Sequence, residues 1–395
     1  MMKWEVKPLG DVCEIRNGST PSKGNPAFWE NGTIPWFTID DIREQGRLIT
    51  STRQKITEAA LSGTSVKLLP KNSVLLCCTA SVGEFAITGI PLTTNQQFNG
   101  LVVKEPKKLD ANFLMHFVST LKDELLGMSG KTTIDFIPIS RLRDVTVPLP
   151  PLPEQQRIVG KLDAAFAALG EAQALVERNR ANARELFESY LNGVFERKGD
   201  GWVEKELGTI CEVKDGTHDS PRYLDEGVPF VTQKNIKKDG LSLEDTRFIS
   251  LSDHESFYRR SNAAFGDILI SMIGANRGMA CIVDQETVFS IKNVGLVKHN
   301  DSINQDLLLA YLKSSIAMEF VKSRSKGGAQ EFIGLTELRK FPIHYPHRAE
   351  QDSLASMFAE LREETKHLEA TYQQKLLELA VLKRAILGSA FKGEL

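Results

Sequence analysis

Two kinds of hydrophobic pattern alternate along this 395-residue chain. The first is a succession of short apolar runs broken by Gly, Pro, Asn and Asp. Residues 73–78, 84–88, 100–103, 267–273 and 279–283 are such runs and predict strands separated by turns. Within the same stretches, residues 112–126 and 305–322 carry apolar side chains at helical spacing and predict helices. Strands and helices mixed in this way predict α+β globular domains.

The second pattern begins after Pro148-Leu149-Pro150-Pro151-Leu152-Pro153, beyond which no proline stands until Pro221. Prolines suit the first turn of a helix, where their missing N–H costs nothing. Ile158, Leu162, Ala165, Leu169, Ala172, Val176, Asn179, Ala183, Leu186 and Tyr190 then follow in steps of four and three. Leu354, Phe358, Leu361, Thr365, Leu368, Tyr372, Lys375, Leu379, Leu382 and Ile386 repeat the alternation. Each is a heptad seam, polar at Asn179 in the first and at Thr365 and Lys375 in the second. Two long helices are predicted whose seams pair with each other, since each offers what the other must bury. At ~1.5 Å per residue, residues 154–196 would span about 64 Å. Asn179 is expected to fix the register.

The two patterns occur twice in the same order. Trp4, Cys13, Glu14 and Gly18 match Trp202, Cys211, Glu212 and Gly216 at an offset of 198. Pro35-Trp36-Phe37-Thr38 matches Pro229-Phe230-Val231-Thr232 at an offset of 194. Phe136, Ser140, Leu142, Arg143, Glu154 and Gln155 match Phe332, Thr336, Leu338, Arg339, Glu350 and Gln351 at an offset of 196. A period near half the chain is too long for a solenoid and indicates two copies of a whole domain. The drift of the offset places small insertions in loops.

Composition narrows the function classes. Net charge is −2, but residues 1–150 carry 17 basic and 15 acidic side chains and residues 200–345 carry 18 and 21. A nucleic-acid binder with this balance must gather its cations on one face or borrow positive field from partners. No apolar run is long enough to span a membrane, and Met1-Met2-Lys3-Trp4-Glu5 does not open a signal peptide, so a cytoplasmic location is expected. The five cysteines form no Cys-x-x-Cys pair and are expected as buried free thiols.

Several motifs tempt and fail. Gly130-Lys131-Thr132 ends like a phosphate-binding loop, yet Leu125 stands where its first glycine is required. Asn25-Pro26-Ala27-Phe28 lacks the second proline of an adenine-methyltransferase tetrapeptide, and no Gly-rich cofactor loop precedes it. The seven histidines show no metal-ligand spacing. No catalytic, cofactor or metal constellation is expected on this chain.

The combination of a polar domain, Pro-Leu-Pro-Pro-Leu-Pro-Glu-Gln-Gln-Arg-Ile-Val (148–159) and a heptad helix, all repeated, resembles the specificity subunit of type I restriction–modification systems. Glu154-Gln155 and Glu350-Gln351 resemble the family's helix-start signature, and residues 382–395 its usual ending. Gly18-Ser19-Thr20-Pro21-Ser22 with Ile34-Pro35-Trp36, and Asp215-Gly216-Thr217-His218-Asp219-Ser220-Pro221 with Val228-Pro229-Phe230, look like two types of target recognition domain. The second helix start departs from the pattern, with His344-Tyr345-Pro346-His347-Arg348-Ala349 in place of the proline-rich run.

The resemblance implies target recognition domains at 1–150 and 199–346, with helical spacers at 151–198 and 347–395 pairing as an antiparallel coiled coil. It further implies that each domain reads one half of a split target in double-stranded DNA and that the helix pair sets the gap. Two methyltransferase subunits would supply S-adenosylmethionine chemistry. Two restriction subunits would use ATP and Mg2+. The chain itself would be non-catalytic. Alternatives are the specificity subunit of a type II-like methylase–nuclease, or a coiled-coil protein-binding scaffold.

Base edges are read by Arg and Lys at guanine, by Asn and Gln at adenine and by small hydroxyls at either. In the first domain, polar loops nominate Ser22, Lys23 and Asn25, then Thr38 and Asp40, then Lys131, Thr132 and Thr133. Matched places in the second nominate His218, Arg222 and Tyr223, then Gln233, Lys234, Asn235 and Lys237, then Lys326 and Gln330, with Arg277 between two glycines. Asn95-Gln96-Gln97 and Lys292-Asn293 stand at matched positions, where a turn satisfying its own backbone is the other reading.

Overall fold

The computed structural model describes residues 4–128, 136–326 and 331–395. It divides into two compact units, Met1–Val176 with Gln374–Leu395, and Glu177–Gln373. The first unit is made of two segments, because each unit takes one half of each long helix. These helices are Leu152–Arg197 and Arg348–Lys392.

The first unit contains a five-stranded sheet in the order Cys13–Asn17, Phe98–Val103, Val74–Cys77, Phe85–Thr88, Leu48–Ile49. Beside it lies a three-stranded sheet, Gln54–Ile56, Ile34–Phe37, Thr93–Thr94. The second unit repeats the plan. Its larger sheet runs Val213–Asp215, Val294–Val297, Ile268–Ser271, Ala280–Ile282, without the fifth edge strand. Its smaller sheet runs Arg247–Ile249, Val228–Val231, Ser290–Ile291. The predicted strands at 73–78, 84–88, 100–103, 267–273 and 279–283 all form. Their residues alternate between faces that are both covered, so Val74–Cys77 and Ile268–Ser271 are buried throughout.

Each predicted helical patch in the domains is two helices rather than one. Residues 112–126 divide into Ala111–Val118 and Lys122–Met128, and residues 305–322 into Gln305–Leu312 and Ser315–Arg324. The breaks fall at Ser119-Thr120 and Ser314. Their hydroxyls bond to the carbonyls of His116, Phe117 and Tyr311, and Ser314 caps the next helix through Ala317 N. Short hydroxyl side chains compete for helical backbone partners in this way.

The repeated residues have structural tasks. Gly18 and Gly216 lie where backbone meets backbone: a Cβ would stand 1.9 Å from the Asn95 carbonyl oxygen and 2.2 Å from that of Ile291. Cys13 and Cys211 are buried free thiols, and burial pushes them up to about 12 and about 11. Gln155, fully buried, accepts from Asp110 N at 2.9 Å and donates to the carbonyls of Lys108 and Pro150 at 2.7 and 2.8 Å. Gln351 accepts from Asn304 N at 2.7 Å and donates to Pro346 O at 2.9 Å. Asp110 and Asn304 are the N-caps of Ala111–Val118 and Gln305–Leu312, so each glutamine fastens a long helix to a capped domain helix. In the second copy Tyr311 O–H donates to Pro342 O, and His344 bridges Tyr311 and Glu204. These bonds fill the place of the proline-rich run.

The long helices run antiparallel within each unit. In the second, Tyr190 meets Phe358, Arg184 pairs with Glu369 and Arg180 bonds Gln373. In the first, Phe166 lies beneath Lys383 and Arg157 donates to the Leu395 carbonyl. Ile158, Leu162 and Phe358 are buried, while Leu169, Val176, Asn179, Leu354, Leu361, Tyr372, Leu379 and Ile386 are half-buried. Four expected seam residues lie outside the seam: Leu186, Leu368, Lys375 and Leu382 are exposed. Phe187, Glu369 and Leu376 occupy the inward positions instead. An α-helix drifts about 20° per heptad against a strict 3.5-residue repeat, so the inward set takes two successive steps of four at 361, 365, 369 and at 179, 183, 187.

Candidate nucleic-acid interface

In the first unit the loop after Gly18 is pinned at both ends. Ser19 N donates to Thr94 O, and the indole N–H groups of Trp36 and Trp29 donate to the carbonyls of Ser19 and Ser22. The two indoles meet edge to face at 5.0 Å. Lys23 lies over both, its Nζ 3.7 Å from the Trp29 ring and 4.5 Å from the Trp36 ring, and bonds Gln54 Oε1 at 2.6 Å. Burial pushes the Lys23 ammonium below its ordinary value. Ser22 is exposed beside it, and Asn25 caps the turn Pro26–Phe28 through Ala27 N. Thr38 opens the helix Ile39–Gln45, donating its N–H to buried Asp41, while Asp40 pairs with Arg43 at 2.9 Å. Lys131, Thr132 and Thr133 lie outside the described residues.

The second unit puts an equivalent pair at the same register. Trp36 faces Gln54 across one strand pair, and Phe230 faces Arg247 across its counterpart. Here the cation is on the strand and the ring on the loop: the Arg247 guanidinium lies 4.5 Å over Tyr223, which packs on Phe230. Around them opens a cleft of about 480 Å³. Tyr223, Gln233, Lys234, Arg247, Lys292 and Asn293 line it, with Asp245 as its carboxylate. Among the described residues Gln233 Oε1 is buried without a partner. His218 stands nearby, Nδ1 2.6 Å from Asn293 Oδ1 and Nε2 3.3 Å from Asp215, which Arg260 holds by two bonds.

The other predicted residues divide. Asn235 touches the cleft but is spent on the fold: its amide accepts from Thr232 N and donates to Ser242 O and Thr246 Oγ1. Arg277 is largely covered, tied to Glu331 at 2.5 Å and to the Gly274 carbonyl. Arg222 and Lys237 are exposed but do not line the cleft, and Lys326 N–H bonds Phe332 O. Gln330 lies outside the described residues. Asn95 follows the turn reading, its Oδ1 accepting from Gln97 N. Sequence reasoning did not select Arg247, Trp29 or Gln54, and noted Lys292 only as part of a matched polar run. Strand pairing brings Arg247, Lys292 and Gln54 to the cluster and the turn Pro26–Phe28 brings Trp29, and the signal present in the sequence was the match of Lys292-Asn293 to the polar run after residue 94. Among the described residues no cluster of His, Cys, Asp and Glu could hold a metal ion, and no helix is long and apolar enough to cross a membrane.

Two copies of one domain, each gathering cations and amides beside aromatic rings, define a duplicated recognition protein. The sequence model of the type I restriction modification DNA specificity domain matches residues 1–176 and 199–378, and the chain belongs to this family. It is 34% identical over 235 residues to the type I restriction enzyme EcoprrI specificity subunit of Escherichia coli, covering 56% of this chain and 58% of that protein. It is 26% identical over 414 residues to the MjaIX specificity subunit of Methanocaldococcus jannaschii, covering 99% and 93%. The HsdS subunit from Thermoanaerobacter tengcongensis shares the fold at a TM-score of 0.63 and 20% identity, covering 100% of this chain and 98% of that one. A chain from a structure of type I R-M system assembly and conformational transition shares it at 0.81 and 22%, covering 100% and 99%.

Proposed function

We propose that this chain is the DNA specificity subunit of a type I restriction–modification complex. Residues 1–150 and 199–346 each read one half of a bipartite target, and the helical segments 151–198 and 347–395 set the gap. The observation that carries the reading is the cation–aromatic cluster at matched register, Lys23 with Trp29 and Trp36, and Arg247 with Tyr223. Cations hold phosphates, and amides such as Gln233 and Asn293 suit adenine edges. Lys234 and Lys292 extend the phosphate contact, with Ser22, Asn25, Thr38, Asp40, His218, Arg222, Lys237 and Lys326 as flanking contacts. Asn235 and Arg277 support the fold behind this surface.

The chain directs chemistry that partners perform. Two modification subunits bring S-adenosylmethionine and two restriction subunits bring ATP and Mg2+, in the cytoplasm where the DNA lies. Family membership speaks against the type II-like assembly and the protein-binding scaffold. The test is single-molecule methylation mapping of DNA from cells carrying this gene and its neighbouring methylase, beside a deletion of this gene. Loss of N6-methyladenine at one split motif is expected. An unchanged methylome, with no co-purification of the methylase, overturns the reading.

A further inference from the structure

Phe136 and Phe332 occupy the same place in both domains and are 54% and 45% exposed. The two share one backbone bridge and the bond that follows it, and Phe332 is bonded to Lys326 as well. Thr79 bridges Phe136 and Ile273 bridges Phe332. The next residues, Ile137 and Ile333, turn inward, are buried, and donate to the carbonyls of Cys78 and Met272 at 2.9 Å each. The loops they abut share a left-handed residue, Ala80 at φ 62° and Gly274 at φ 75°, followed by Gly83 and Gly278 at φ 87°.

Among the other matched residues, Glu14 and Glu212 hold surface cations, Arg16 and Lys214, and several more work inside the fold. Leu142 and Leu338 are fully buried, Gln155 and Gln351 clamp helices, and Arg339 donates to Val213 O. The two phenylalanines are kept through the same divergence and yet give up about half of the stabilisation that full burial of such a ring provides. Their partner must therefore lie outside the domain and be common to both. Ile273, which bridges Phe332, lines the cleft with Lys234, Arg247 and Lys292, so the ring stands beside a cationic surface. The loops that would read bases differ between the domains, so the shared feature is not a base edge. B-form DNA offers one at any sequence: the apolar faces of its deoxyribose sugars, the base faces being covered by stacking. We propose that Phe136 and Phe332 are each domain's sequence-independent aromatic contact to DNA, packing on the backbone sugars beside the bases being read. This rests on the DNA-reading function above.

The test uses the full chain purified with its modification subunits. Fluorescence anisotropy measures binding to a duplex carrying the mapped target and to one with a scrambled half-site, across a salt series. Phe332→Ala, which loses the burial of about half a ring, is expected to weaken both about tenfold. The ratio between the duplexes and the salt slope should not change, because no phosphate contact is lost. Phe332→Leu, which keeps apolar bulk without the flat ring, should behave alike, Phe332→Tyr should bind as wild type, and Phe136→Ala should repeat the result. Binding by both alanine variants within twofold of wild type overturns the proposal. So does loss of the modification subunits in sedimentation, which would make the rings a protein contact, and so does unfolding of both the alanine and leucine variants. If the wild-type complex does not distinguish the duplexes, the parent reading fails first, and the inference falls with it.

Discussion

Replacing Gln155 by leucine keeps the side chain's size and removes all three of its hydrogen bonds. The Asp110 N–H and the carbonyls of Lys108 and Pro150 then face a fully buried apolar group. A buried donor left without a partner costs about 1–3 kcal/mol and each lost carbonyl bond about 1, for a total of about 3–5 kcal/mol. Gln351→Leu orphans one N–H and one carbonyl, so about 2–4 kcal/mol is expected. A chain with two compact units need not unfold in one step, so a single unfolding free energy is a poor readout. Hydrogen exchange of the segment 108–118 reads the clamp directly, because Asp110 caps its helix through Asn112 and Phe113. Protection there should fall about a hundredfold or more in Gln155→Leu, with the segment 302–312 unaffected. The reverse holds for Gln351→Leu. Protection unchanged within about fivefold in both variants would refute the reasoning that these glutamines join helix to domain.

Two further outcomes are expected. Burial holds the Lys313 ammonium down at about 8, with Arg362 lowering it further. The unfolded chain therefore keeps that proton longer, and stability should rise between pH 8 and about 10.4. Lys313→Met should be more stable at pH 7 by on the order of 2–3 kcal/mol and lose that rise; urea midpoints across the window check it. Arg247→Ala should weaken DNA binding by a similar factor on all sequences and make the salt slope shallower by about one, whereas a change confined to one base position would assign the arginine to base reading.

Much of the architecture was legible because it rests on periodicity. The repeat, the five strand runs and the two long helices follow from spacing alone, since side-chain direction has a fixed period in each regular structure. The Glu-Gln pairs were visible as a signature, but their task was not, because Gln155 and Gln351 reach residues more than forty positions earlier. The exposed Leu186, Leu368 and Leu382 show the limit of a strict heptad, which ignores the helix's own drift.

The site divides in the same way. Residue chemistry and loop position in the sequence already singled out Lys23, Tyr223, Gln233 and Lys234. What only the tertiary structure decided is which polar residues face outward together. Asn235 and Gln233 stand two positions apart with the same chemistry, yet one amide is consumed by Thr232, Ser242 and Thr246 while the other lines a cleft. Arg247 and Lys292 join that cleft through pairing with strands far away in the chain. Periodicity is a local property and survives in the sequence. The company a polar group keeps is set by long-range pairing, and only the folded chain fixes it.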